Sequence, residues 1–301
     1  ACNSWKTPES TVDARPVIFP DYTEVTVPSN IAPLNFMVED ADYIQASFSH
    51  NGIEGLRVKG KDGVIRIPFK KWQEFVKTAE GGNIDVQVSV WNQECPEGMA
   101  CASFPIHVVK DGIDPWISYR LIEPGYVGWR QLGIYQREMS SFEETPIVTN
   151  RASNTTCLNC HNYPSYSPES MMFHARGKNG GTILYNKGKL SKIDFKSIGP
   201  KKNTTYPAWH PEGRYIAFSS NTTHQIFFGQ GKQPIEVFDT ASDLVIYDTV
   251  TGDVLTDPRF MTEESLETFP SWSPDGKTLY FVSYAAESLP VRFNASIRYD
   301  L

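Results

Sequence analysis

Cys157-Leu-Asn-Cys160-His161 is the run in this chain whose side chains are spaced for covalent chemistry. Two thiols at this spacing can each form a thioether with a vinyl group of one porphyrin, and the histidine after the second can bring its imidazole under the iron. The motif therefore predicts one covalently attached haem of the c type, with His161 as an axial iron ligand. Other uses of a Cys-x-x-Cys pair require other surroundings. A thioredoxin-like redox pair needs a βαβ setting, which residues 153–170 do not offer. Structural zinc needs two further Cys or His ligands, and no second cysteine pair of this spacing is present. A plain disulfide across two residues is strained and leaves His161 without a role.

A second axial ligand is expected from Pro168-Glu-Ser-Met-Met-Phe-His-Ala-Arg-Gly177. This segment reads as a short helix with Pro168 near its first turn and Gly177 at its end. On such a helix Met171 and His174 share a face. Met171 is the preferred ligand, His174 the next and Met172 the third, although methionines near a porphyrin also serve as packing. Methionine would raise the reduction potential and a second histidine would lower it. Arg176 and Lys178 are candidates to pair with the haem propionates. His210 occupies a turn position and reads as structural, and His224 lies in an insertion without an assigned role.

The other three cysteines bear on compartment. Cys95 and Cys101 bracket a turn-rich loop, Pro-Glu-Gly-Met-Ala, and are expected to form a local disulfide in an oxidising environment. Cys2, preceded by Ala1 and followed by a polar stretch to about residue 15, is the expected lipidation site of an exported lipoprotein. The 28 basic and 35 acidic residues give a formal charge of −7. With no basic run long enough to track phosphates, nucleic acid is excluded as a partner. The longest apolar stretches are strand-sized, so membrane contact is expected only through the lipid anchor.

The elements that must position the haem motif are mainly β. Short alternating segments punctuated by Pro, Gly, Asn and Asp fill 16–112, the pattern of an immunoglobulin-like β-sandwich. Residues 70–79 are the exception, because Trp72, Phe75 and Val76 fall at helical spacing and Gly81-Gly82 stops the run. From 113 to 150 aromatic residues are dense and periodicity is broken, and 113–180 reads as a linker carrying the haem-binding segment at the seam between domains.

In 181–301 a repeat appears. Tyr206-Pro-Ala-Trp209-His-Pro-Glu-Gly213 aligns with Phe269-Pro-Ser-Trp272-Ser-Pro-Asp-Gly276 at an offset of 63 residues, each unit a strand, a Pro-acid-Gly turn and a second strand. A further hairpin is predicted at 182–195 around Asn186-Lys-Gly188. These units resemble the TolB-type, WD40-like (PD40) propeller repeats, whose core reads Pro-x-Trp-Ser-Pro-Asp-Gly. The earlier copy departs from that core at His210 and Glu212. The resemblance implies propeller blades of four strands each. Two or three blades cannot close a propeller, so a C-terminal portion or another subunit is expected to complete it.

Together, the lipoprotein-type cysteine, the single Cys-x-x-Cys-His and the TolB-like repeats resemble exported haem lipoproteins of Bacteroidetes-type bacteria. That resemblance implies a monohaem electron carrier or redox sensor at the outer membrane, with a redox or envelope protein as partner. The competing reading is a binding or assembly scaffold with a structural haem or none. No Ser/His/Asp or paired-carboxylate pattern points to an enzyme, and fold alone does not choose among these readings.

Overall fold

The structure is a computed structural model that describes residues 5–122, 132–153, 157–177, 180–201, 203–227, 229 and 235–286. Cys2 and Lys178 lie outside the described residues. The chain is mainly β, with several sheets, none of them closed among the described residues. It divides into two units, Ala1–Tyr119 with Tyr135–Thr145, and Arg120–Ile134 with Pro146–Leu301.

The first unit is built from β1 (Ser10–Thr11), β2 (Thr26–Pro28), β3 (Phe36–Met37), β4 (Tyr43–His50), β5 (Ile53–Lys61), β6 (Val64–Ile65), α1 (Phe69–Thr78), β7 (Asn83–Trp91), β8 (Met99–Ala100) and β9 (Phe104–Val109). Seven strands share one sheet, in which β8, β7, β4 and β5 lie side by side, and β3 pairs with β6 in a second, two-stranded sheet. The sandwich is therefore lopsided. Alternation along β4, β7 and β9 sends Ile44, Phe48, Ile84, Val86 and Ile106 into one core, closed on its other side by Phe36, Ile65 and the Trp72, Phe75, Val76 face of α1.

Cys95 and Cys101, expected as a disulfide, are free thiols. Asn92 closes the loop instead. Its Oδ1 accepts from Cys95 Sγ at 3.0 Å and from the amides of Glu94 at 3.1 Å and Cys95 at 2.9 Å. Burial pushes the Cys101 thiol pKa up, as does the neighbouring Cys95.

The remaining strands are β10 (Trp116–Ile122), β11 (Leu132–Glu138), β12 (Glu144–Thr149), β13 (Leu158–Asn162), β14 (Ser170–Ala175), β15 (Gly181–Asn186) and β16 (Lys189–Ile193). A short helix, α2 (Phe195–Ile198), precedes β17 (Thr205–Trp209), β18 (Tyr215–Phe227), β19 (Ile235–Asp248), β20 (Val254–Leu255), β21 (Ser265–Trp272) and β22 (Leu279–Ala285). Thus the described residues of 113–180, read as a linker, carry five strands, and the Cys157–His161 segment runs into β13 with Cys157 just ahead of it.

Strands β13 to β16 form a four-stranded sheet in sequence order, as do β17 to β20, while β21 and β22 form a two-stranded sheet. Antiparallel four-stranded sheets in this order are what propeller blades are built from. The expected hairpin around Asn186-Lys-Gly188 joins β15 to β16, with Lys187 and Gly188 both at positive φ, 47° and 86°, as a tight hairpin turn requires. Gly213 and Gly276 supply the left-handed position of the two Pro-acid-Gly turns, at φ 79° and 70°.

Candidate functional site

The first strands of the three sheets, β13, β17 and β21, share a distortion, which in β13 falls on the Cys157–His161 segment. The ladder register slips between Asn159 and Asn162, between Thr205 and Ala208, and between Thr268 and Ser271. At each slip one non-glycine residue is left-handed: Cys160 (φ 51°), Tyr206 (φ 45°) and Phe269 (φ 52°). Left-handed bulky residues are rare, so three at equivalent places mark a repeated bulge. Cys160-His-Asn-Tyr163 is therefore a third copy of Tyr206-Pro-Ala-Trp209, offset by 46 residues. Cross-links between sheets repeat too. Asn162 Oδ1 accepts from the Trp209 amide at 3.3 Å, and Ala208 O accepts from Trp272 Nε1 at 3.1 Å. His210, read as structural, lies 3.0 Å through Nε2 from the Gly276 carbonyl. His224 Nε2 lies 3.1 Å from Thr240 Oγ1 on the exposed part of the β18–β19 hairpin.

The expected helix at 168–177 is a strand instead. Six consecutive residues of β14, Ser170 to Ala175, pair with β15, and that ladder outweighs the helix signals of Pro168 and Gly177. The strand changes which side chains can share a site. Met171 and His174, three apart, no longer share a face, whereas residues two apart do. Met172 is fully buried among Leu184, Ile193, Phe195, Trp209 and Phe218.

A cavity of about 660 Å³ opens in this second unit, lined by Asn159, Cys160, His174, Arg176, Phe195 and Lys196 among others. Its volume falls in the usual range for a bound organic group, roughly 300–1,000 Å³. Cys160 is half-buried on its wall, its Sγ 3.5 Å from Thr205 Oγ1. His174 pairs across the ladder with Asn159, next to Cys160, and is 7% exposed. Its Nδ1 lies 2.9 Å from Thr182 Oγ1, and its Nε2 is buried without a hydrogen-bond partner.

Cys157, His161, Met171 and Met172 are not among the cavity-lining residues. Cys157 is buried in a small cluster with Leu132 and Leu158. His161 is half-buried with its ring edge-on to Tyr163, centroids 6.2 Å apart. The structure thus brings Cys160 and His174 together and adds Arg176, whose amide donates to Cys157 O at 2.9 Å, but leaves Cys157 and His161 off the cavity wall. Thr182, Asn159 and Lys196 join the site without having been read from the sequence, and the repeat offset of 46 residues was the signal that could have placed β13 beside β14.

The wall carries one thiol, Cys160, one buried imidazole, His174, and the cations Arg176 and Lys196, whereas a c-type haem also needs Cys157 and His161, which are not on it. As β13 and β14 are paired, the residues of the cavity do not fit that group. Among the described residues no three His, Cys, Asp or Glu side chains are grouped to hold a bare metal ion.

His174 also gives unit two an acid sensitivity. Burial, reinforced by the charge of Arg176, lowers its pKa from 6.5 to about 4. Between those values the unfolded chain holds a proton that the folded chain does not, so stability falls as pH drops through that window and is unaffected above it. In the haem-free chain the wild type should lose about 2–3 kcal/mol from this group between pH 7 and pH 4.5. Urea unfolding at both pH values checks it, with His174→Gln lacking that share of the loss. Equal losses in both proteins would contradict it.

No protein-family model matches the chain, and no curated protein matches it. Solved structures give distant neighbours. A DUF4784 family protein from Bacteroides caccae aligns with 10% identity and a TM-score of 0.30, covering 90% of this chain and 65% of that one. An ancestral GH74 enzyme gives 9% identity and 0.31, over 95% of this chain and 37% of that one. Oligogalacturonate lyase from Vibrio parahaemolyticus gives 11% and 0.27, over 92% and 88%. The chain therefore spans less than two thirds of the first two proteins, and at these scores no residue role passes from them to this chain.

Proposed function

We propose that the protein is an exported c-type haem protein that carries electrons or senses redox state, bearing one haem on Cys157 and Cys160 with His161 as an axial ligand. The observation that supports it best is the Cys157-Leu-Asn-Cys160-His161 motif itself, with Cys160 half-buried on the wall of the cavity. When bound, a haem supplies a one-electron iron couple. Cys157 and Cys160 would hold the group covalently, and Arg176 and Lys196 would be cations near enough to the cavity to offset carboxylates. The blade-like sheets offer surface for a redox or envelope protein. Lipidation at Cys2 would hold the protein at the outer membrane.

A host that attaches haem to exported Cys-x-x-Cys-His proteins provides the test. The purified full chain should show reduced haem bands that survive extraction with acidified acetone. Bands that extract, or none, would overturn the proposal.

A further inference from the structure

We infer that the cavity of the second unit is a binding site for an acidic carbohydrate, a ring compound that carries several hydroxyl groups and a carboxylate. The inference goes beyond the haem reading and is independent of it, because Cys157 and His161 are not on this wall.

Charge sets the sign of the ligand. Arg176 and Lys196 line the cavity, both are exposed, and neither has a carboxylate partner among the described residues. Burial and, after it, the charge of Arg176 lower the pKa of His174, so that guanidinium acts on the buried side of the cavity as well as on its rim. The acids close by are engaged elsewhere. Asp194 Oδ1 accepts from the Lys196 amide at 3.1 Å and so caps α2. Asp239 accepts from Asn221 Nδ2 and from Thr223 Oγ1, each at 2.6 Å. Two cations beside carboxylates that are already bonded favour an anion, and a guanidinium matches a carboxylate with two parallel hydrogen bonds.

The uncharged lining sets the class. The amides of Asn203 and Gln225 and the hydroxyl of Tyr206 line the cavity without a hydrogen-bond partner among the described residues. Side-chain amides and hydroxyls both donate and accept, as every sugar hydroxyl does, so the two sets exchange hydrogen bonds in either sense. Tyr206 adds a ring surface. It stands at the left-handed bulge of β17, 39% exposed, with its ring set against Phe269 at 4.4 Å between centroids. The negative face of such a ring attracts the C–H groups of a sugar. A further wall is the β18–β19 hairpin. Past its register slip at Thr222 and Thr223, alternation turns Thr223, Gln225 and the ladder partner of Gln225, Val237, to the cavity. On the other face the His224 ring stacks on Phe238 at 5.4 Å and stiffens that wall. An apolar ligand would bury these amides and cations unpaired, which is unfavourable.

The test uses the full-length protein from the host of the haem experiment. It is titrated calorimetrically with oligosaccharides of glucuronate and of galacturonate, with neutral glucose and galactose oligomers of equal length, and with inorganic phosphate. At least one uronate oligomer should bind, more tightly than its neutral counterpart and less tightly as salt rises. Arg176→Gln and Lys196→Gln should each weaken that oligomer about tenfold and leave the affinity for the neutral one as it is. Tyr206→Ala should weaken charged and neutral oligomers alike. Lys189→Gln, at an exposed lysine of β16 outside the cavity, should change neither, which separates a lost contact from a lost charge. Urea midpoints at the wild-type value show that the variants are folded. Three results overturn the inference: no uronate oligomer binds, the bound one is held equally well by Arg176→Gln and Lys196→Gln, or phosphate binds as tightly as the uronate. Each of them leaves covalent haem untouched, just as a chain without covalent haem leaves this site in place.

Discussion

Replacing Cys157 and Cys160 together by serine is expected to leave the protein folded and wholly without covalent haem, since a hydroxyl forms no thioether under the conditions that join a thiol to a vinyl group. The two positions differ in what the change does to the fold. Cys160 is half-buried beside Thr205 Oγ1, where a serine hydroxyl finds a partner. Cys157 is 8% exposed among Leu132 and Leu158, where a hydroxyl costs about 1–3 kcal/mol if unpaired. Cys160→Ser is therefore the variant in which haem is affected with least effect on stability, and Cys157→Ala replaces Cys157→Ser where folding is in doubt. In-gel haem peroxidase staining, read beside urea unfolding, separates the two effects. Each single variant should keep one thioether and stain weakly, and the double variant should not stain. Staining of the double variant at wild-type strength would contradict covalent attachment at these residues.

The second large effect concerns stability. Trp72→Ala should destabilise the first unit by about 3–5 kcal/mol. Trp72 is 0% exposed, its ring meets Phe48 edge-on at 6.1 Å, and its Nε1 donates to Ile31 O at 3.1 Å. Against a typical stability of about 5–15 kcal/mol, that removes a large share. Trp72→Phe keeps most of the packing and strands the Ile31 carbonyl, a smaller loss of about 1–3 kcal/mol. The ordering of the two urea midpoints decides it. A Trp72→Ala midpoint equal to that of the wild type would mean that α1 does not cap this core.

Where a local pattern and its tertiary setting agreed, the sequence was legible. Trp72, Phe75 and Val76 sit at helical spacing and are the buried face of α1. Asn186-Lys-Gly188 is a turn because its residues tolerate positive φ. Where a segment was short, tertiary pairing prevailed. Residues 168–177 carry both helix-end signals and a β pattern, and pairing with β15 selects the strand. The copy of the repeat at Cys160–Tyr163 is hidden in the sequence because Tyr163 stands where the others have Trp, and Ser167 where they have the turn glycine; the bulge is what the three share. Thr182 was invisible for a different reason, since a threonine on a strand has no signature until its ladder partner is a buried histidine.

One digestion tests the central claim most directly. Trypsin should cut after Arg151 and Arg176 and release residues 152–176, which contain both cysteines of the motif and no internal Lys or Arg. In protein exported from a host able to attach haem, that peptide should carry the mass of one haem with neither cysteine open to alkylation. Recovery of the peptide at its unmodified mass with both cysteines alkylated would contradict the account.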